Sequence, residues 1–355
     1  MKHNFGAGPC ILPQEVFKQA SQGVLNFNDT GLSILEISHR APEFVAVMEE
    51  AVSLVKELLN VPEGYSVIFL QGGASLQFAM TALNLLPEGK KATYLETGVW
   101  AKKAFAEAKI IGDAEVVASS KDKNYSYIPK DYTIDADSAY FHCTSNNTIH
   151  GTQMHSFPQT KVGIVSDMSS DIFSRVINVA DFDLIYAGAQ KNIGPAGATL
   201  VIVKNEILGK SGRNIPSMLD YQKQIDADSM YNTPPVFSVY VSMLNLRWLK
   251  AKGGVVAIEK ENIAKAKALY TEIDRNPLFK GTAAVEDRSN MSVCFVMENA
   301  ELEKPFLKYA EEKGCVGIKG HRSVGGFRAS LYNALPITSV HNLVDAMQEF
   351  AEKNV

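Results

Sequence analysis

The feature that most constrains this 355-residue chain is an alternation of short, largely apolar runs with longer stretches of helical spacing. Runs at 66–70, 92–96, 114–117, 139–142, 163–166, 184–187 and 199–203 read as strands. Several are apolar throughout, so both of their faces must be covered, as in a mostly parallel sheet flanked by helices. Stretches 42–59, 75–86, 100–110 and 237–250 carry the helical period, and Gly253-Gly254 separates the last from another helical run to about residue 274. From about residue 276 the pattern restarts, with strands at 291–297 and 326–331 and helices near 300–313 and 339–352. The expected organisation is α/β. It comprises an N-terminal segment (1–15), a large domain (16–252) and a smaller C-terminal domain (253–355), bridged by the long helical passage.

Composition narrows the function classes. A hydrophobic content of 46% supports a substantial core, and a net charge of −4 argues against a nucleic-acid footprint, so any anion site must be local. Cys10, Cys143, Cys294 and Cys315 are scattered, without the spacing of a metal site or a disulfide framework. Free thiols in a reducing cytoplasm are expected, with no metal. The N-terminus shows no long apolar leader, and no segment offers about 18 consecutive apolar residues, so neither secretion nor membrane insertion is expected.

Chemistry concentrates around Lys191, in Gly188-Ala189-Gln190-Lys191-Asn192, directly after an apolar strand. Most lysines are solvated surface groups, but this one is flanked by small residues rather than charges. Small neighbours let backbone approach an aromatic cofactor, and Asp167, at the end of an earlier strand, suits the nitrogen of a pyridinium ring. The pair therefore points to a Schiff-base lysine and pyridoxal 5'-phosphate, although an aspartate there equally caps a turn. Gln71-Gly72-Gly73-Ala74-Ser75 joins a strand to a helix and offers free N–H groups to a phosphate; the same turn also reads as a plain connection with Ser75 as N-cap. Trp100 stands where it would stack on a flat ring or fill the core, and Thr148 and Gln190 supply neutral hydrogen bonds. Two histidine–arginine motifs, His39-Arg40 and His321-Arg322 with Arg328 beyond, offer guanidinium forks for phosphate and carboxylate if folding brings them together.

Phe5-Gly6-Ala7-Gly8-Pro9, Ser38-His39-Arg40, Gly72-Gly73-Ala74-Ser75, Thr97-Gly98-Val99-Trp100, Asn147-Thr148-Ile149-His150-Gly151, the Lys191 motif and Gly320-His321-Arg322 together closely resemble the phosphoserine aminotransferase family, nearly end to end. Those enzymes are class V aminotransferases of fold type I. The resemblance implies a mostly parallel seven-stranded sheet, a small C-terminal α/β domain and a homodimer with composite sites. It implies Lys191 as the Schiff-base lysine, Asp167 on the ring nitrogen, Trp100 stacking, Thr148 and Gln190 on the cofactor, and Ala74 and Ser75 on its phosphate. Asn232 and Thr233 would reach the neighbouring subunit's cofactor phosphate. His39, Arg40, His321 and Arg322 would bind substrate phosphate or the glutamate side-chain carboxylate. Arg328 would lie near the α-carboxylate, with Ala7 in the loop lining the pocket. One departure is Ser75, where many bacterial members carry arginine. The implied reaction converts 3-phosphohydroxypyruvate and L-glutamate to O-phospho-L-serine and 2-oxoglutarate in serine biosynthesis, with a phosphorylated hydroxythreonine of vitamin B6 synthesis as a second substrate in some members. Competing readings are an alanine–glyoxylate or serine–pyruvate aminotransferase, a cysteine desulfurase, and a catalytically silent protein on the same fold.

Overall fold

In the computed structural model, which describes residues 2–354, all seven anticipated N-terminal runs become strands of one sheet. They are β1 (Tyr65–Leu70), β2 (Lys91–Glu96), β3 (Asp113–Ser119), β4 (Phe141–Thr144), β5 (Ile164–Asp167), β6 (Leu184–Gly188) and β7 (Thr199–Lys204). The spatial order is β1-β7-β6-β5-β4-β2-β3. Only β7 runs against its neighbours, β1 and β6; the other pairings are parallel. The carboxyl ends of the remaining six strands therefore share one edge, the usual seat of a ligand crevice in α/β sheets.

Burial explains the unbroken apolar runs. Along β1, Val67 and Phe69 join one core while Ile68 joins another on the opposite face, and along β7 Leu200 and Ile202 alternate in the same way with Val201 and Val203. Helices α1 (Gln14–Leu25), α2 (Pro42–Leu58) and α6 (Val236–Ala251) supply the first core, and α3 (Gly73–Leu85) and α4 (Val99–Ile111) the second, with the short α5 (Tyr221–Asp226) beside it. Two expectations need correcting. Helix α3 starts at Gly73, with Gly72 in the left-handed region as N-cap, so Ser75 lies in the first turn and is not the cap. Strand β4 sits two residues later than expected, because Phe141 is the residue that pairs with both Thr93 and Ile164. Helix α1 was not anticipated at all; its buried positions are Val16, Ala20 and Gly23, a weak apolar signal.

Gly253 and Gly254, both at positive φ, turn α6 into α7 (Gly254–Arg275) where a side chain would be strained. The first half of α7 buries Val255 and Ile258 in the sheet's core. Its second half buries Ala266, Leu269 and Ile273 in a third core, shared with strands β8 (Phe279–Gly281), β9 (Ser292–Met297) and β10 (Phe327–Ser330) and helices α8 (Glu303–Glu312) and α9 (Ile337–Glu352). Phe5 belongs to that core too, since His3–Asn4 pairs with Cys315–Val316.

One buried cation secures this junction. Lys265, 1% exposed on α7, donates from Nζ to the carbonyls of Leu331 (3.0 Å) and Tyr332 (2.8 Å). Desolvation lowers its pKa from 10.5 to about 7. Between those values the unfolded chain binds the extra proton, so this lysine makes the fold more stable as pH rises from about 7 towards 10.5. Comparing urea unfolding of the wild type and Lys265→Met across that range should show the wild type gaining on the variant, by at most about 1.4 kcal/mol per pH unit. Parallel stability–pH curves would show that the lysine keeps its proton in the folded chain and that burial does not lower its pKa.

Candidate active site

The crevice at the strand ends is built from the exits of β1, β2, β4, β5 and β6. Asp167 closes β5, and on the next strand Tyr186 pairs with it in register. The turn after β6 then carries Gln190 and Lys191. Asp167 is 5% exposed, and its Oδ1 accepts from the Ser169 N–H (2.9 Å) and the Ser169 hydroxyl (2.6 Å). The same hydroxyl accepts from the Gly188 N–H (3.1 Å), which locks the carboxylate to the strand leading to Lys191. All hydrogen bonds of Asp167 among the described residues use Oδ1 or its backbone, so Oδ2 remains for another donor. Burial pushes the Asp167 carboxyl up, and the Ser169 hydrogen bonds and Lys191 pull it back.

Lys191 is partly accessible, yet protein crowds it enough that desolvation lowers its pKa; Asp167 opposes that shift and Arg328 adds to it. Its backbone is held tightly. The Lys191 N–H donates to Ala189 O (2.7 Å), the Cys10 N–H to Gln190 O (3.1 Å) and the Cys10 thiol to Lys191 O (2.8 Å). The loop bearing Ala7 and Gly8 lies over this turn: a Cβ at Gly8 would stand 3.7 Å from Lys191 Cγ. Ala7 O accepts from the Tyr332 hydroxyl at 2.9 Å, which brings the C-terminal unit to the same place.

Helix α3 opens alongside. A Cβ at Gly188 would lie 3.8 Å from the Ala74 nitrogen, so Ala74 and the exposed Ser75 in the first turn of α3 neighbour the Lys191 turn. That turn has no acidic residue and no side-chain cap, so its N–H groups remain free for an anion. At the start of α4, Trp100 is half-buried and its Nε1 donates to the Thr148 hydroxyl (3.3 Å). Arg328, on β10, donates from Nη1 to the Thr148 carbonyl (3.0 Å), while its buried Nε has no partner. His321 pairs with the Ser323 hydroxyl (2.7 Å), and burial together with Arg328, Arg322 and Lys103 depresses its pKa.

Thus Ala7, Ala74, Ser75, Trp100, Thr148, Asp167, Gln190, Lys191, His321, Arg322 and Arg328 gather at one crevice. Two other pairs make no hydrogen bond to the Lys191 turn among the described residues. His39 is buried with an unpartnered Nε2, and Arg40 is exposed with its N–H donating to Ser38 Oγ (3.2 Å). Asn232 and Thr233 are exposed, and the Thr233 carbonyl accepts from Gln71 Nε2 (2.7 Å), next to the α3 N-cap. Sequence reasoning missed Ser169, Cys10, Tyr332 and Lys103. Ser169 was findable from Asp-x-Ser, a recurrent turn pairing, and Lys103 from its i,i+3 spacing to Trp100 on a helix. Cys10 and Tyr332 act across more than a hundred residues and leave no local signal. Among the described residues no cluster of histidine, cysteine or carboxylate is arranged to hold a metal, and no helix is long and apolar enough to cross a membrane.

The family described as aminotransferase class-V matches residues 3–343 of this chain. The phosphoserine aminotransferase of Flavobacterium johnsoniae is 63% identical over 353 residues, covering 99% of both chains. Among solved structures, the phosphoserine aminotransferase of Bacillus circulans subsp. alkalophilus superposes with a TM-score of 0.97 at 44% identity, covering 100% of this chain and 99% of the other. That of Trichomonas vaginalis, solved with PLP bound, gives 0.93 at 35% identity over 98% of this chain and 100% of the other. The fold and the crevice therefore define a class-V aminotransferase. Within that class, the chain belongs to the phosphoserine aminotransferase family.

Replacing Ser169 with alanine removes one hydroxyl that both donates to Asp167 and accepts from Gly188. Chemical denaturation should show a loss of about 1–3 kcal/mol, from a buried carboxylate and a buried N–H that each lose a partner. An unchanged midpoint would mean that the hydroxyl carries no such bridge.

Proposed function

We infer that this chain is a PLP-dependent phosphoserine transaminase, which moves the amino group of L-glutamate to 3-phosphohydroxypyruvate and releases O-phospho-L-serine and 2-oxoglutarate. The observation that carries the reading is one buried carboxylate with a spare oxygen, Asp167, beside a desolvated lysine, Lys191, under an uncapped helix start. That set fits the cofactor's three demands: an anionic partner for the protonated ring nitrogen, an amine for its aldehyde and N–H donors for its phosphate. Asp167 Oδ2 would hold the ring N–H, Trp100 would stack on the ring, and Thr148 and Gln190 would fix its polar edge. The first turn of α3, with Ala74 and Ser75, would take the phosphate. Ser75 contributes a hydroxyl and no charge there, so helix N–H groups carry more of the load.

When bound, PLP supplies an aldehyde that condenses with amines and a ring that accepts the electron pair left at Cα. Burial lowers the proton affinity of Lys191 Nζ, which leaves more of the amine neutral near pH 7 and fit to take and return a proton at the substrate's Cα. Asp167, whose carboxyl is pushed up by burial and pulled back by the Ser169 hydrogen bonds and Lys191, would hold positive charge on the ring side of the site. Arg328, anchored on Thr148, would orient the substrate α-carboxylate. His321 and Arg322 would take its phosphate or the glutamate side chain, and Ala7 would close the pocket wall. His39 and Arg40, with Asn232 and Thr233, would complete the partner subunit's site in a homodimer with shared sites. We place cofactor binding in residues 16–252 and substrate closure in 1–15 and 253–355, and the enzyme in the cytoplasm.

The rival chemistries fare worse. A desulfurase needs a nucleophilic thiol, but burial raises Cys10, Cys143 and Cys294 to about 12. A transaminase for small neutral side chains would leave His321 and Arg322 without a counter-charge.

Adding O-phosphoserine to the PLP-loaded protein should abolish its visible cofactor band, whereas alanine should change it little; a stronger response to alanine would redirect the substrate assignment. Lys191→Ala should abolish turnover. Asp167→Asn should lower kcat by roughly a hundredfold or more, as expected when a fixed electrostatic partner of the reaction is lost. Full activity in either variant would sink its assigned role. Light scattering should return a dimer, and a fully active monomer would overturn the shared-site proposal.

A further inference from the structure

Lys103 stands outside every role given so far, and its surroundings point to one. It lies one turn beyond Trp100 on α4, with Nζ 4.8 Å from the centre of the indole ring, on a side chain that is exposed. Trp100 is joined to Thr148, and Thr148 to Arg328, so Lys103 forms the outer end of a continuous line that runs inward to Arg328 near Lys191. Arg322 is also exposed, and it acts with Lys103 and Arg328 on His321. In a chain of net charge −4, none of the ion pairs among the described residues engages Lys103, His321, Arg322 or Arg328. The rim therefore carries several cationic groups and no carboxylate partner, an arrangement that is costly by itself and is relieved by an incoming anion.

Depth sorts these cations by task. Arg328, with a buried Nε and a bond to the Thr148 carbonyl, is fixed deep in the crevice, suited to a carboxylate carried on the reacting carbon. Lys103 and Arg322 are exposed at the rim, suited to the far end of a substrate. Resting on the function inferred above, we propose that Lys103 is a further specificity-determining residue, whose ammonium takes an oxygen of the substrate's phosphate from the Trp100 side. The indole face holds the ammonium at the rim without neutralising it, since a cation over a ring keeps its full charge. The lysine thereby favours doubly charged phosphate esters over uncharged side chains, and its effect falls as salt screens it.

The test uses the PLP-loaded full chain and two substitutions that separate charge from packing: Lys103→Met keeps an unbranched stem on the indole, and Lys103→Arg keeps the charge. Steady-state kinetics with O-phosphoserine and 2-oxoglutarate should show Lys103→Met raising KM for O-phosphoserine about fivefold at low salt, with kcat within about twofold, as expected when binding equal in ground and transition states is lost. Inorganic phosphate should inhibit Lys103→Met more weakly by a similar factor, and Lys103→Arg should stay near the wild type in both measurements. Unchanged KM and phosphate inhibition in Lys103→Met would overturn the proposal. Equal losses in the two variants would also overturn it, because the role would then be packing on Trp100. A wild type that turns over alanine but not O-phosphoserine would overturn the inferred function itself, and this assignment with it.

Discussion

The structure depends on keeping two desolvated groups of opposite charge, Asp167 and Lys191, at the ends of neighbouring parallel strands. Each is disfavoured in its charged form by burial, and each is the main attractive charge for the other. Neither is free to drift. Ser169 ties the carboxylate to the Gly188 N–H, and Cys10 holds two successive carbonyls of the lysine's turn. Fixing both groups through backbone and a hydroxyl, rather than through a direct ion pair, leaves Asp167 Oδ2 and Lys191 Nζ available for chemistry.

Around that pair the fold brings in segments from distant parts of the chain. The sheet's parallel register delivers α3, α4, Thr148, Asp167 and Lys191 to one edge. The C-terminal unit then reaches the same edge through Arg328 on Thr148 and Tyr332 on Ala7. Helix α7 makes this possible, because its two halves are buried in different cores and Lys265 fastens it to the carbonyls beside Tyr332. The position of Arg328 relative to Lys191 thus rests in part on the packing of this helix.

Much of this was legible in the sequence. The seven apolar runs became the seven strands of the main sheet, and Gly253-Gly254 marked the break between α6 and α7, because continuous apolarity and paired glycines each have one good structural use. Errors fell where local signals compete. Ser75 resembled an N-cap, but the glycine before Gly73 adopts the left-handed conformation and starts the helix earlier. Strand β4 ends two residues later than expected, because polar Thr144 signals a loop in the sequence although the sheet buries it together with Cys143. Helix α1 passed unseen since its buried face includes a glycine packed against Tyr240.

By itself the sequence determined the α/β class, the strand inventory and the residue types of a cofactor crevice, because periodicity and small-residue turns are properties of local chain. Only the tertiary structure decided which cations meet. It joined Lys103 to Trp100, Trp100 to Thr148 and Thr148 to Arg328, and brought His321 within reach of the same cations. It also revealed Cys10 and Tyr332 as fixings of the site. Their partners lie 181 and 325 residues away, and no one-dimensional pattern records a contact that exists only once distant segments have been packed together.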